Sequence, residues 1–383
     1  MSDPIIRRGP RPLLLHLLLA GMPPGGTGWP PFWNGSMPWS GGWPSWSSGA
    51  GGRSGVAPAE LIAGVAAYRR HPWRREVAEP AVVWAEGGSR LLDYGGAGEP
   101  VLFVPSLVNR AYVLDLVEGR SMLRFLAQGG AERRRVLLLD WGWPGEAERG
   151  FTLTDYAAGR LVRALSAVGA PVVLVGYCMG GLLALAAAQM RPELVRGLGL
   201  LAVPWDFHAV EAQAARGLGQ LVPLLEPLMA LTQRLPIDAI QTLFAMMDPG
   251  GIAAKYAGFA RVDQGSARAR QFVAIEDWLN DGVPLAAAVA RECLGGWYGE
   301  NTPARGLWRV AGEAVDPARL RMPAFVAVPG RDRIVPAESA LPLAGLIAGA
   351  VLHRPAAGHV GMVAGASAER ALWEPLQDWI ASL

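Results

Sequence analysis

Three side chains far apart in the chain, Cys178, Asp332 and His359, are of the types that together make a thiol into a nucleophile. A thiol needs a base to take its proton and an acid to orient that base. Cys178 stands in Val172-Val173-Leu174-Val175-Gly176-Tyr177-Cys178-Met179-Gly180-Gly181. An aliphatic run of this kind reads as a buried parallel strand. It gives way after Cys178 to an Ala/Leu-rich helical run over 182–190. Gly176 and Gly180 carry no Cβ, so strand and helix can pack closely around a strained turn that pushes the nucleophile into the open. The helix then aims its first amides and the positive end of its dipole at the sulfur, a setting that favours an anionic sulfur. Taken alone, the stretch also fits a buried, inert cysteine in a glycine-rich turn. The two partners downstream weigh against that.

Asp332 lies in Pro329-Gly330-Arg331-Asp332-Arg333-Ile334-Val335-Pro336, just past a strand expected at 324–328. His359 lies in Ala357-Gly358-His359-Val360-Gly361, just past a strand expected at 351–353. Nucleophile, acid and histidine in this chain order, each beyond the carboxyl end of a strand, is the pattern of α/β-hydrolases. An oxyanion hole then needs two backbone donors, the N–H of Met179 and one from the loop Pro105-Ser106-Leu107-Val108-Asn109, assigned by position to Val108. The other candidates fit less well. His353 belongs to a strand, His71 and His16 fall outside the pattern, and Cys293 sits in a helical run where a buried thiol is the default. His208 opens the long insertion and could act as a hinge or contact substrate.

The elements that must hold these residues follow from the pattern. An amphipathic helix is expected at 57–68 and a hairpin at 81–86 and 90–94 through Gly87-Gly88. Strands at 101–104, 136–139, 172–175 and 197–203 then alternate with helices at 121–127, 154–168 and 182–190. That alternation predicts a mostly parallel sheet flanked by helices. It stops over about 206–321, a mostly helical insertion expected to act as a lid, and resumes at 324 towards a closing helix over 368–382. One α/β domain over 57–383 is therefore expected, preceded by a Pro/Gly/Trp-rich segment over 1–56. Residues 22–52 hold no charge and five tryptophans, and have neither period, so they read as a tail, a strap or a patch for a hydrophobic surface.

Composition excludes several classes. The chain has 35 basic residues, Lys255 the sole lysine, against 33 acidic ones, and no basic stripe, so nucleic acid is not an expected partner. Its only cysteines are Cys178 and Cys293, and a disulfide between them would consume the elbow, so a reducing, cytoplasmic setting is expected. The arginine-flanked apolar run at 13–20 is short, holds His16 and lacks a small-x-small cleavage site, which argues against a signal peptide.

Pro105-Ser106-Leu107-Val108-Asn109-Arg110-Ala111-Tyr112-Val113-Leu114-Asp115-Leu116, Asp140-Trp141-Gly142-Trp143-Pro144 and the Cys178 elbow resemble the polyhydroxyalkanoate synthases. The segments around Asp332 and His359 continue the likeness, which covers roughly residues 80–383 and is nearest to the two-subunit, class III type. The resemblance implies an α/β-hydrolase fold with Cys178 as nucleophile, His359 as base and Asp332 as the acid assisting it. It implies a 3-hydroxyacyl-CoA substrate, a polyester product and no cofactor beyond that thioester. It also admits three partners: a polyester granule surface, a second copy, or a second, non-catalytic subunit. The alternatives on the same triad are a thioesterase, an esterase or a dienelactone-hydrolase-like enzyme. A non-catalytic granule protein binding through its tryptophans is a third reading.

Overall fold

The computed structural model describes residues 7–21, 56–129, 133–247 and 250–383. The tryptophan-rich stretch 22–52 lies outside them. The described residues fall into two compact units. Ala78–Leu235 joins Val283–Leu383 in one, and the residues up to Val77 join Pro236–Gly282 in the other. The expected insertion is thus shared between the two.

The larger unit is built on one sheet of eight strands: β1 (Ala81–Glu86), β2 (Ser89–Asp93), β3 (Pro100–Val104), β4 (Arg135–Asp140), β5 (Val172–Tyr177), β6 (Val195–Leu201), β7 (Ala324–Ala327) and β8 (Val351–His353). Their order is β1-β2-β4-β3-β5-β6-β7-β8, with β1 and β2 antiparallel at one edge and the rest parallel. β5 is buried at every position, as its aliphatic sequence requires of a strand covered on both faces. The helix Met179–Met190 that follows is buried along nearly its whole length. Its Leu182, Leu183 and Leu185 each contribute about 1.5–3 kcal/mol of burial. After β3 the chain crosses to β4 on one side, whereas β5 lies on the other, so the order reverses at β3/β5. A crevice opens at the carboxyl ends of such a pair, which is where this architecture places its ligands.

Among the described residues three helical stretches depart from the regular helical turn, one of them Glu292–Gly299 in the insertion. In place of a uniform helix over 154–168, Asp155–Leu161 forms wide, π-type turns before Val162–Val168 becomes α-helical. Arg160 lies inward here, where its guanidinium meets Ser89 Oγ at 2.8 Å and Glu148 Oε1 at 2.9 Å. The closing helix likewise begins with wide turns at Glu369–Trp373 before Glu374–Ala381. Pro375 has no N–H to return to the carbonyl of Ala371, and the ladder widens there.

In the smaller unit the helix Pro58–Arg70 packs on Gly251–Ala260 and Ala267–Asn280. Leu61, Val65 and Tyr68 meet Tyr256, Phe259 and Phe272 in its core. Gly64 allows the closest approach, since a Cβ there would collide with the Tyr256 carbonyl. Arg7 grips Asp277 with two nitrogens, at 2.7 and 2.8 Å, and Lys255 pairs with Glu276 at 2.6 Å. Arg7, Lys255 and Glu276 are buried and Asp277 is half-buried, and each charge there has its partner.

Candidate active site

Cys178 stands at the carboxyl end of β5, between the end of β3 (Val104 beside Gly176) and that of β6 (Tyr177 beside Leu201). Its N–H donates to the Leu201 carbonyl at 2.9 Å, completing the ladder, and its φ of 56° with ψ of −131° then throws the chain into the helix. A non-glycine residue held there costs about 1–3 kcal/mol, which the packing around it must offset. Two close approaches make the turn possible. A Cβ at Gly176 would collide with Gly181, and one at Gly180 with the carbonyl oxygens of Val104 and Pro105.

Asp332 sits in the loop after β7. Its Oδ1 accepts from the N–H groups of Ile334 and Val335, both at 2.9 Å, and its side chain is fully buried. Oδ2 lies 2.6 Å from Nδ1 of His359, the first residue of the short helix His359–Ala364. With Nδ1 engaged on Asp332, Nε2 is the ring nitrogen left for the sulfur of Cys178, which is near enough to influence the imidazole. Burial alone would lower the imidazole. The Asp332 charge, then the Cys178 sulfur and the hydrogen bond to Asp332, outweigh it and push His359 up to about 10. The structure therefore brings Cys178, His359 and Asp332 together from the ends of three strands.

Met179 opens its helix, so its N–H has no partner within the helix. The N–H of Val108 donates to Ser106 Oγ at a long 3.3 Å, and its carbonyl accepts from Val283 N–H at 3.0 Å. The loop carrying Val108 is pinned at its start, where the buried Trp141 indole donates to the Pro105 carbonyl at 2.9 Å. The remaining histidines all have other partners. His353 meets the Ala371 carbonyl at 2.6 Å, His208 that of Tyr298 at 2.7 Å, His71 that of Gln264 at 2.9 Å and His16 that of Arg11 at 3.1 Å. Among the described residues, no group of three or more His, Cys, Asp or Glu side chains could hold a metal ion.

Two neighbours of the site escaped the sequence reading. Tyr177 is buried, lies tilted against the His359 ring with centroids 5.1 Å apart and donates its O–H to the His359 carbonyl at 3.3 Å. Its place beside Cys178 was visible, but a tyrosine in a strand reads as core. Tyr298, from the insertion, has its phenol pushed up by burial and then by the nearby sulfurs of Cys178 and Cys293. No periodicity in the insertion pointed to it.

Residues 101–371 match the alpha/beta hydrolase family. The chain belongs to that family. This alpha/beta hydrolase chain is 29% identical over 313 residues to the poly(3-hydroxyalkanoate) polymerase subunit PhaC of Haloferax mediterranei, covering 78% of this chain and 63% of the relative. It is 28% identical over 294 residues to the subunit of the same name from Synechocystis sp., covering 73% and 77%. For that of Allochromatium vinosum the identity is 26% over 290 residues, covering 73% and 80%. The chain thus spans somewhat under two thirds of the first of these relatives. The likeness to polyhydroxyalkanoate synthases seen in the motifs runs through about three quarters of the chain. Among solved structures, an esterase from Exiguobacterium antarcticum superposes with a TM-score of 0.51 at 16% identity, covering 79% of this chain and 99% of that one. The thioesterase domain from the curacin biosynthetic pathway superposes at 0.50 with 18% identity, covering 80% and 100%. At such identities these two bear on the fold alone, and they agree with the parallel sheet expected from the strand–helix alternation. No helix of the described residues is long and apolar enough to cross a membrane.

The two thiols are expected to react unequally. Cys293 is buried, and burial, then Glu292, raises its thiol well above the usual value. Cys178 is only half-buried and beside an imidazole. Brief iodoacetamide treatment of the native protein should alkylate Cys178 at least about tenfold faster than Cys293 by peptide mass spectrometry. Equal labelling would mean that the elbow does not activate its sulfur.

Proposed function

We propose that this chain is an acyltransferase of the polyhydroxyalkanoate synthase kind, nearest to the class III type, polymerising 3-hydroxyacyl-CoA into polyester. The observation that carries the reading is a thiol, not a hydroxyl, at the strand end beside the hydrogen-bonded His359–Asp332 pair, in a chain whose relatives are named as polyester polymerases. Cys178 Sγ, its proton already held by the His359 imidazole, attacks the thioester carbonyl. The oxyanion that forms is held by the N–H groups of Met179 and Val108, the latter exchanging its long bond to Ser106. The CoA sulfur leaves with the proton from His359, and the acyl group remains on Cys178. One thioester has replaced another, so the acyl group keeps its transfer potential, which a serine ester would have lowered. His359 then deprotonates the 3-hydroxyl of a second acyl unit. That oxygen attacks the Cys178 thioester, an ester bond forms and the sulfur regains its proton. Asp332 holds the Nδ1–H tautomer and steadies the imidazolium.

On this reading no cofactor is required, CoA thioester being the substrate, and the protein works in the cytoplasm at a growing polyester granule. A second copy or a second, non-catalytic subunit completes it. Incubating the protein with 3-hydroxybutyryl-CoA tests the reading, with free CoA, free acid and polymer each measured. Polymer is the expected product. Release of free 3-hydroxybutyrate in step with CoA would make the chain a thioesterase, and no CoA release would remove the reading altogether.

A further inference from the structure

Past β6, the chain enters a packed group of aromatic rings. Phe207 lies nearly parallel to Trp297 with centroids 5.7 Å apart, and its edge meets Tyr298 at 4.9 Å. Trp308 stands perpendicular to Trp297 at 5.4 Å. The group is fixed to the carboxyl end of the sheet. Trp205 and Asp206 both donate their N–H to the Ser339 carbonyl at 3.0 Å. Asn301 donates to Asp206 Oδ1 at 2.8 Å and accepts from the Phe207 N–H at 3.0 Å. Cys178 is at this same end, its N–H on the last carbonyl of β6.

Trp297 and Trp308 are 3% and 4% exposed, yet among the described residues neither indole N–H has an acceptor. Elsewhere the fold supplies one, since the buried Trp141 and Trp373 donate to the carbonyls of Pro105 and Val363 at 2.9 and 3.1 Å. Buried donors left unpaired are uncommon in native proteins, and each calls for an explanation. The surroundings limit what could pair with them. A charged phosphate or carboxylate would be stripped of its water among these aromatic rings, at a large cost. A neutral carbonyl oxygen on a hydrocarbon chain suits both the donor and its apolar walls. A polyester presents one such carbonyl in every repeat and no donor except at its hydroxyl end.

We propose that this aromatic group is a subsite for the ester carbonyls of the acyl chain carried on Cys178, with the indole N–H groups of Trp297 and Trp308 as its donors. The proposal rests on the acyl-transfer reading of Cys178. It also agrees with Tyr298, next in sequence to Trp297, responding to the Cys178 sulfur.

The test compares two thioesters: 3-hydroxybutyryl-CoA, which lacks an internal ester, and the CoA thioester of its ester-linked dimer. Trp297→Phe and Trp308→Phe are made singly. Each is expected to raise KM for the dimer about tenfold while leaving acylation by the monomer within about twofold. Because either variant could lose packing, the wild-type protein is also labelled with ¹⁵N in its indoles and titrated with the methyl ester of the 3-hydroxybutyrate trimer. Two indole N–H signals should move, one being missing from each variant. Unmoved signals, or equal losses on both thioesters, would overturn the subsite while leaving the chemistry at Cys178 intact. A wild-type protein that releases CoA from neither thioester would remove the acyl-transfer reading and the subsite with it.

Discussion

Cys178→Ala should reduce CoA release from 3-hydroxybutyryl-CoA by about 10⁴-fold or more, with the melting temperature shifted by no more than about 2 °C. The size of the loss follows from the nature of the step. With no sulfur there is no nucleophile and no covalent intermediate to carry the acyl group. The small stability change follows from the backbone. Alanine keeps the Cβ, and so keeps the strain at φ 56°, while the N–H bond to Leu201 does not involve the side chain. The Gly176, Gly180 and Gly181 approaches that shape the elbow are likewise untouched. Cys178→Ser gives a sharper version of the same test. It restores a nucleophile in the same place, but the acyl group would then rest as an ester of lower transfer potential. Acylation should survive at a reduced rate and chain growth should fall further. CoA release by Cys178→Ala at near the wild-type rate would show that the sulfur is not the acyl carrier.

The positions of Cys178, Asp332 and His359 at strand ends could be read from sequence because each lies just beyond a strand whose composition announces it. Val172–Tyr177 and Ala324–Ala327 are aliphatic runs that only a covered parallel strand explains, and glycines mark the turns that follow. Chain order then suggested their roles without any knowledge of distance. What stayed hidden depended on which surface meets which. The helix Pro58–Arg70 showed an apolar face, but nothing in its spacing said that the face belongs against Tyr256 and Phe272, some two hundred residues later. The insertion was for that reason expected as one piece, whereas Pro236–Gly282 packs with the N-terminal helices. The wide turns at Asp155–Leu161 also left no trace, because a stretch of one or two turns keeps its apolar residues inward at either pitch. Tyr177 and Tyr298 were missed for a related reason. Aromatic residues in a strand or an apolar helix are usually core, and only the fold sets Tyr177 against the His359 ring and Tyr298 within the electrostatic reach of Cys178.

Asp332→Asn should slow acylation of Cys178 by about 10⁴-fold, the scale on which a triad carboxylate acts through its histidine. The amide can still reach His359 Nδ1, but it can offer N–H where the imidazole also needs to donate, which favours the wrong tautomer. It also removes the leading influence that raises His359 to about 10, while the burial that lowers the ring remains. The imidazole should therefore titrate far lower in the variant, by NMR of its ring protons. Stability must follow in a definite direction. A histidine whose pKa is raised by folding stabilises the native state fully below its unfolded value near 6.5, and this contribution disappears as pH climbs through about 10. Urea unfolding of the wild type and of Asp332→Asn should thus differ most near pH 6, and the gap should close towards pH 10. A gap that stayed constant over that range would mean that the imidazole is neutral in the resting protein. Asp332 would then hold the ring by its hydrogen bond alone, and the proton relayed to the leaving CoA sulfur would have to come entirely from the thiol in the same turnover.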